Sequence, residues 1–325
     1  MKLVELGKTG IAITSIGLGC WQFSEGKGFS GKFWPALHKE DVLKIIEISV
    51  KGGITWFDTA EIYGWGASER ILSASLQELD IQPGNVFIAT KWFPAFRRAA
   101  SIRKTFPQRA EMLSPYPIDL HQVHMPWSLS SVEKQMNQMA DLFDEGKIRS
   151  VGVSNFSRKK MEKAADALAK RNIPLASNQM RYSLLDRSIE QNGVMECAKE
   201  RGITIIAYSP LAQGLVTGKY HENPDMIKKM PGPRKLLSAF KPKGLAKSQP
   251  LVDLLKKTGT DCNATAAEVA LAWLVQRHEG TVVAIPGASK PHHAEQNVRA
   301  LNLKLKNEEI EKIDQMSWKV LGKER

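Results

Sequence analysis

Cysteine is scarce in this chain. Cys20, Cys197 and Cys262 are the only three in 325 residues, too few and too scattered for a disulfide framework, and their spacing matches no metal site. A reducing, cytoplasmic setting without a bound metal is therefore expected, with Cys20 read as a small buried hydrophobe beside Trp21. Long apolar runs are missing too: no stretch reaches the length of a membrane span. The first ten residues, Met1 to Gly10, contain a lysine but no apolar core and no small-residue cleavage site, so the start reads as mature protein. No G-x-G-x-x-G occurs. The nearest run, Gly17-Leu18-Gly19-Cys20-Trp21, is not followed by a helix start, which argues against an open dinucleotide-binding sheet.

Acidic residues are also in short supply, 34 against 46 Lys and Arg, for a net charge of +12. Much of the excess lies between Lys219 and Lys257, where ten basic residues face three acidic ones. Such a surplus attracts anions, and both nucleic acid and a phosphate-bearing cofactor satisfy it.

What the chain does contain is globular: 42% hydrophobic and 25% charged residues, with no low-complexity block. Short runs rich in Val, Ile and Thr alternate with longer amphipathic segments, the βα rhythm. Strands are expected at 16–20, 54–57, 86–91, 118–123, 148–153, 175–179, 203–207 and 281–285. Between them, Val42, Leu43, Ile45, Ile46 and Val50 are expected to share one face of a helix over 40–51 that Gly52-Gly53 stops. Ser157 reads as a cap, Thr265-Ala266-Ala267-Glu268 as a capping box, and Pro291 as a first helical turn. Eight such units predict an α/β fold, a (β/α)8 barrel occupying residues 1–325 as one domain. Gly7-Lys8-Thr9-Gly10 reads as the turn of an N-terminal hairpin, and long loops are expected at the carboxyl ends of the strands.

In such a barrel the residues just past the strand ends meet at one face. Asp58 and Tyr63, Lys91, and His124 follow the second, third and fourth strands, with 33 residues from Asp58 to Lys91 and 33 from Lys91 to His124. A phenol with an ordinary pKa of about 10 needs a neighbouring cation to become a useful acid near neutrality. At roughly 4 Å and an effective dielectric of about 20, Lys91 would attract phenolate by on the order of 4 kcal/mol before desolvation. Half of that lowers the pKa by about one to two units. Asp58 would keep Lys91 charged, and His124 would orient a carbonyl oxygen or relay a proton. Side chains carry no hydride, so the set makes most sense beside a nicotinamide. His121, in the same strand as His124, is expected to point the same way but matches no motif and is read as structural.

Together with Gly17 to Trp21, Lys147 to Phe156, Ala207 to Gly214 and Ile285 to Lys290, these four residues resemble the aldo-keto reductase superfamily over nearly the whole chain. The resemblance implies NADPH. Ser154, Asn155 and Gln179 would hold the nicotinamide carboxamide, with Asp58 and Trp21 also beside the cofactor and Tyr208 stacked beneath the ring. Ser209, Pro210, Leu211, Ala212, Gln213 and Gly214, with Lys219, would take the pyrophosphate, and Gly287, Ser289, Lys290, His293, Gln296 and Asn297 the adenosine phosphate. His293 and Gln296 depart from the residues that relatives often carry there. Arg234 would reach from the basic loop to the phosphates, which makes nucleic acid unnecessary as a partner.

Trp21, Tyr63, Trp92 and His124 are expected to line the substrate pocket, and Trp65, Phe93 and Trp127 lie near enough to extend it toward an apolar or ring-bearing carbonyl compound. The expected activity is reduction of an aldehyde or ketone, with Tyr63 as proton donor. Potassium-channel β subunits resemble the same superfamily and act chiefly as binding partners; they carry Asn where this chain has His124, which favours an enzyme.

Overall fold

The computed structural model describes residues 3–28, 33–230 and 232–322. A hairpin of β1 (Leu3–Glu5) and β2 (Ala12–Thr14) comes first. Eight parallel strands follow: β3 (Leu18–Gly19), β4 (Trp56–Asp58), β5 (Phe87–Trp92), β6 (Ile118–Val123), β7 (Ile148–Ser154), β8 (Leu175–Arg181), β9 (Thr204–Tyr208) and β10 (Val282–Ala284). Each pairs with its sequence neighbour. Bridges from Ile16 to Ala284 and from Gly19 to Gly287 bring the first strand against the last. The result is the expected (β/α)8 barrel, although its first strand is shorter than 16–20.

Helices cover the outside: α1 (Lys39–Lys51), α2 (Ala67–Glu78), α3 (Ser101–Leu113), α4 (Val132–Asp144), α5 (Arg158–Ala169) and α6 (Val194–Arg201) alternate with the strands. The basic segment after β9 carries the short helices α7 (Lys219–Glu222) and α8 (Asp225–Lys228), then α9 (Pro242–Asp261) and α10 (Ala266–Arg277). After β10 come α11 (Pro291–Asn302) and α12 (Asn307–Leu321). The capping box forms at Thr265 and Glu268, and Pro291 opens α11. Ser157 occupies the cap position of α5, but its side chain makes no capping bond. No helix among the described residues is long and apolar enough to cross a membrane.

Side chains alternate across each strand. On β4 and β5, Trp56, Phe87 and Ala89 join one buried cluster with the hairpin residues Val4, Leu6 and Ile13, while Phe57, Ile88 and Trp92 join the larger cluster shared with the helices. The hairpin closes the amino-terminal end of the barrel: Gly7 N donates to Thr204 Oγ1 at 2.7 Å, and Trp56 Nε1 to Thr14 O at 2.9 Å. Further along the same inward rows the residues turn polar, at Asp58, Lys91, Gln122 and Gln179. That change marks the other end of the barrel as the place for chemistry.

Candidate active site

Asp58 ends β4, and Lys91 lies in the last turn of the pleat of β5. Both are buried and joined as an ion pair. A buried pair is tolerable only when its remaining lone pairs and protons are satisfied. Here Lys91 Nζ also donates to Thr59 O at 2.9 Å, and Asp58 Oδ2 accepts from Gln122 Nε2 at 3.1 Å and Gln179 Nε2 at 2.8 Å. Burial pulls the Lys91 pKa down, but the facing Asp58 carboxylate carries it above the ordinary lysine value. The group is an ammonium.

Tyr63 sits in the turn between β4 and α2, its OH 3.4 Å from Lys91 Nζ. Burial pushes the phenol above its ordinary pKa, and Lys91 only partly pulls it back. The downward shift expected from charge alone fails because desolvation of the phenolate is the larger effect. His124 follows β6, held by a bond from its N–H to Trp92 O at 2.9 Å. Its ring meets those of Tyr63 and Phe93 edge-on, each with centroids 5.8 Å apart. Burial, with help from Lys91, holds its pKa well below the usual imidazole range. It is therefore neutral and able to donate one hydrogen bond, and its buried Nδ1 has no hydrogen-bond partner among the described residues. Asp58, Tyr63, Lys91 and His124 thus meet at one end of the barrel.

Two expectations need correction. Trp92 does not line the pocket: it is fully buried in the core beneath the helices, its Nε1 donating to Ser101 Oγ at 3.1 Å. As the residue after Lys91 on an extended strand, it faces the opposite way. His121 does not share the side of His124, because the two are three residues apart. It packs edge-on against Phe106, centroids 5.7 Å apart.

Beside Tyr63 runs an aromatic wall. Trp21 lies 6.2 Å from Tyr63, 5.5 Å from Phe33 and 6.0 Å from Trp34, centroid to centroid. Trp34, to which the sequence assigned no place, also carries the Arg234 guanidinium 3.9 Å from its ring centroid. Trp65 and Trp127 are 65% and 59% exposed, and the Trp65 indole lies against Gly28.

A groove continues from this centre. Ser154 Oγ donates to Gln179 O at 2.9 Å, Asn155 Nδ2 to Ser154 Oγ at 2.9 Å, and Tyr208 OH to Asn155 Oδ1 at 2.9 Å. Beyond them Ser209, Ala212, Gln213 and Gly214 take φ of 51°, 48°, 58° and 92°. Left-handed conformations at four positions of one short loop are strained for the three non-glycine residues, and the turns are closed by Ala212 N donating to Ser209 O and Gly214 N to Leu211 O, both at 2.9 Å. Pro210 and Leu211 lie within the same loop. Lys219 has its pKa lowered by burial and then by Arg234 and Lys290, so three cations converge. His293 accepts from Ser289 N at 3.3 Å and is pushed down to about 4 by burial, His292, Lys219 and Lys290.

Several polar atoms here are buried without a hydrogen-bond partner among the described residues: Gln213 Oε1, Arg234 Nε and Asn297 Nδ2. Neighbouring cations and buried polar atoms left to bond together fit a phosphate-bearing ligand. Gly287 packs against Gln22, and Gln296 leans on Thr265 Oγ1 at 3.5 Å. Sequence reasoning missed Gln122, two residues before His124, where strand alternation alone points it inward. Gln22 and Trp34 had no such signal, since both act across long sequence separations.

Comparison with known proteins gives a family match across most of the chain: the profile described as "Aldo/keto reductase family" covers residues 15–317. A Mycobacterium bovis protein named as an uncharacterized oxidoreductase is 37% identical over 305 residues, 94% of this chain and 89% of that one. The chloroplastic pyridoxal reductase of Arabidopsis thaliana is 31% identical over 314 residues, 92% of this chain and 82% of its own. The crystal structure of a thermostable aldo-keto reductase in complex with the inhibitor epalrestat superposes with a TM-score of 0.76 at 28% identity, covering 97% of this chain and 100% of that chain.

Proposed function

The chain belongs to the aldo/keto reductase family, whose members perform nicotinamide-dependent carbonyl reduction, and from that premise we propose that it reduces an aldehyde or ketone to the alcohol with NADPH, Tyr63 donating the proton. The observation that carries this reading is the buried Lys91–Asp58 pair with Lys91 Nζ 3.4 Å from Tyr63 OH. A fixed ammonium beside a phenol favours the phenolate left behind when the proton departs. Neutral His124 donates a hydrogen bond to the carbonyl oxygen and orients it toward Tyr63.

Bound NADPH supplies the hydride. Ser154, Asn155 and Gln179 present hydroxyl and amide groups to its carboxamide, with Trp21 and Asp58 alongside, and Tyr208 offers a flat face for the ring. The loop from Ser209 to Gly214, through Pro210, Leu211, Ala212 and Gln213, takes the pyrophosphate with Lys219, whose ammonium supplies the opposing charge. Gly287, Ser289, Lys290, His293, Gln296 and Asn297 form the adenosine end. Preference for NADPH over NADH rests on the convergence of Lys219, Arg234 and Lys290, which an extra phosphate relieves. The wall of Trp34, Trp21, Tyr63, His124 and Phe93 favours a planar, apolar carbonyl compound, since ring faces and edges give stacking contacts that a hydrated sugar does not match.

The test is NADPH oxidation with a panel of aldehydes by wild type and Tyr63→Phe. Loss of general-acid help lowers kcat by about 10²–10⁴ while nucleotide affinity, measured by fluorescence titration, is retained. Equal turnover by both proteins overturns the assignment. Tight nucleotide binding with no turnover on any carbonyl turns the reading toward a nucleotide-keeping partner protein.

A further inference from the structure

The first turn of α2 makes more contacts with the reacting groups' surroundings than a barrel helix needs. Ser68 N donates to Tyr63 O at 3.2 Å. Ser68 Oγ accepts from Thr59 Oγ1 at 2.8 Å and donates to Cys20 O at 2.7 Å. Thr59 is the residue whose carbonyl receives Lys91 Nζ, and Cys20 N donates to Asp58 O at 2.8 Å. The next residue, Glu69, is buried and reaches the other strand: its Oε1 accepts from Thr90 Oγ1 at 2.6 Å and its Oε2 from Arg109 Nη1 of α3 at 2.6 Å. Thr90 immediately precedes Lys91 and faces outward where Lys91 faces in.

We propose that Ser68 and Glu69 are positioning residues that hold the Lys91–Asp58 pair in register with Tyr63. Two adjacent side chains grip the outward neighbours of both charged residues, one on β5 and one just past β4, while the Ser68 backbone N–H grips Tyr63. The three groups that must keep sub-ångström registry are therefore tied to one rigid helix turn instead of to three separate loops. A buried ion pair such as Glu69–Arg109 is weak support for stability, since apolar replacement is often neutral. A fixed acceptor for Thr90 is what an apolar replacement could not supply. Burial pushes the Glu69 carboxyl up to about 7, so the group is held there against its own desolvation.

The inference rests on the proposed reading in that Lys91 tunes Tyr63, and a readout without turnover separates the two. Thr90→Val, Thr90→Ser and Ser68→Ala are compared with wild type by ultraviolet titration of tyrosinate, each against the same protein carrying Tyr63→Phe so that only Tyr63 is read. When Lys91 drifts, the phenolate loses its cation. In Thr90→Val and Ser68→Ala the Tyr63 pKa accordingly rises, by about half a unit to one unit, and kcat falls about threefold to tenfold with nucleotide KM little changed. Thr90→Ser keeps the hydroxyl and restores both. Folded Thr90→Val and Ser68→Ala proteins with an unshifted Tyr63 titration overturn the proposal, as does a Thr90→Ser protein as impaired as Thr90→Val. Should Thr90→Val fail to fold, Ser68→Ala, which removes one hydroxyl, decides. A shifted titration in a wild-type background that reduces no carbonyl upholds the positioning role and defeats the reductase reading.

Discussion

The two ends of the barrel are built from the same strands to opposite purposes. At the hairpin end, Trp56, Phe87, Leu120, Ile206 and Val283 fill the interior, and polar groups such as Gly7 N, Trp56 Nε1 and Thr204 Oγ1 have protein partners. Two residues further along β4, and four further along β5, the interior holds a buried ion pair, and Gln213 Oε1, Arg234 Nε, Asn297 Nδ2 and His124 Nδ1 have no hydrogen-bond partner among the described residues. Saturated hydrogen bonding and apolar packing give stability without reactivity. Unmet polar groups and gathered charge are what a ligand can satisfy, at some loss of stability without it.

That contrast breaks most sharply at Lys91, which belongs to the reactive end yet is as buried as any core residue. Lys91→Met removes the cation beside Tyr63 and strands Asp58, so it lowers kcat by about a hundredfold or more and destabilises by about 3–5 kcal/mol; steady-state kinetics and urea unfolding read the two losses together. Trp56→Ala sharpens the contrast from the sealed end: unfolding free energy falls by about 3–5 kcal/mol, whereas kcat of the folded fraction stays near wild type. Lys290→Ala, exposed and remote from Tyr63, weakens NADPH binding about tenfold, lowers NADH binding much less, and leaves the denaturation midpoint alone.

Smallest is the effect of pH near neutrality. Tyr63 is raised by burial and His124 is held neutral by burial and Lys91. The phenol thus stays protonated and the imidazole uncharged across this range, and Glu69, which titrates at about 7, accepts the Thr90 hydroxyl whether or not it is protonated. Reduction changes by less than about twofold between about pH 6 and 8 and declines only as pH climbs through the raised phenol pKa, while alcohol oxidation, which needs phenolate, gains over the same climb. A bell centred near neutrality in the kcat profile of reduction contradicts this.

Much of the architecture was legible from short Val- and Ile-rich runs separated by helical periods, because a parallel barrel repeats one local pattern eight times. Boundaries were less so. Only Leu18–Gly19 forms the first strand where 16–20 was expected, since it pairs with β4 at just those two residues and closes the barrel through isolated bridges, neither of which is visible locally. Asp58, Lys91 and His124 were readable because strand ends are recognisable and equal spacing implies equal units. Trp92 was misplaced by reading proximity in sequence as proximity in space, although alternation already set it opposite Lys91.

The sequence by itself determined the rhythm of strands and helices, the inventory of acid, phenol, ammonium and imidazole, and the basic loop that suits phosphate, because each depends on residue type and short spacing. Only the tertiary structure decided the rest: that burial outweighs Lys91 in setting the phenol, that Gln122 and Gln179 complete Asp58, that Arg234 stacks on Trp34, and that Ser68 and Glu69 reach Thr59 and Thr90. Desolvation and long-range contact are properties of what surrounds a residue, and those surroundings form only when the barrel closes.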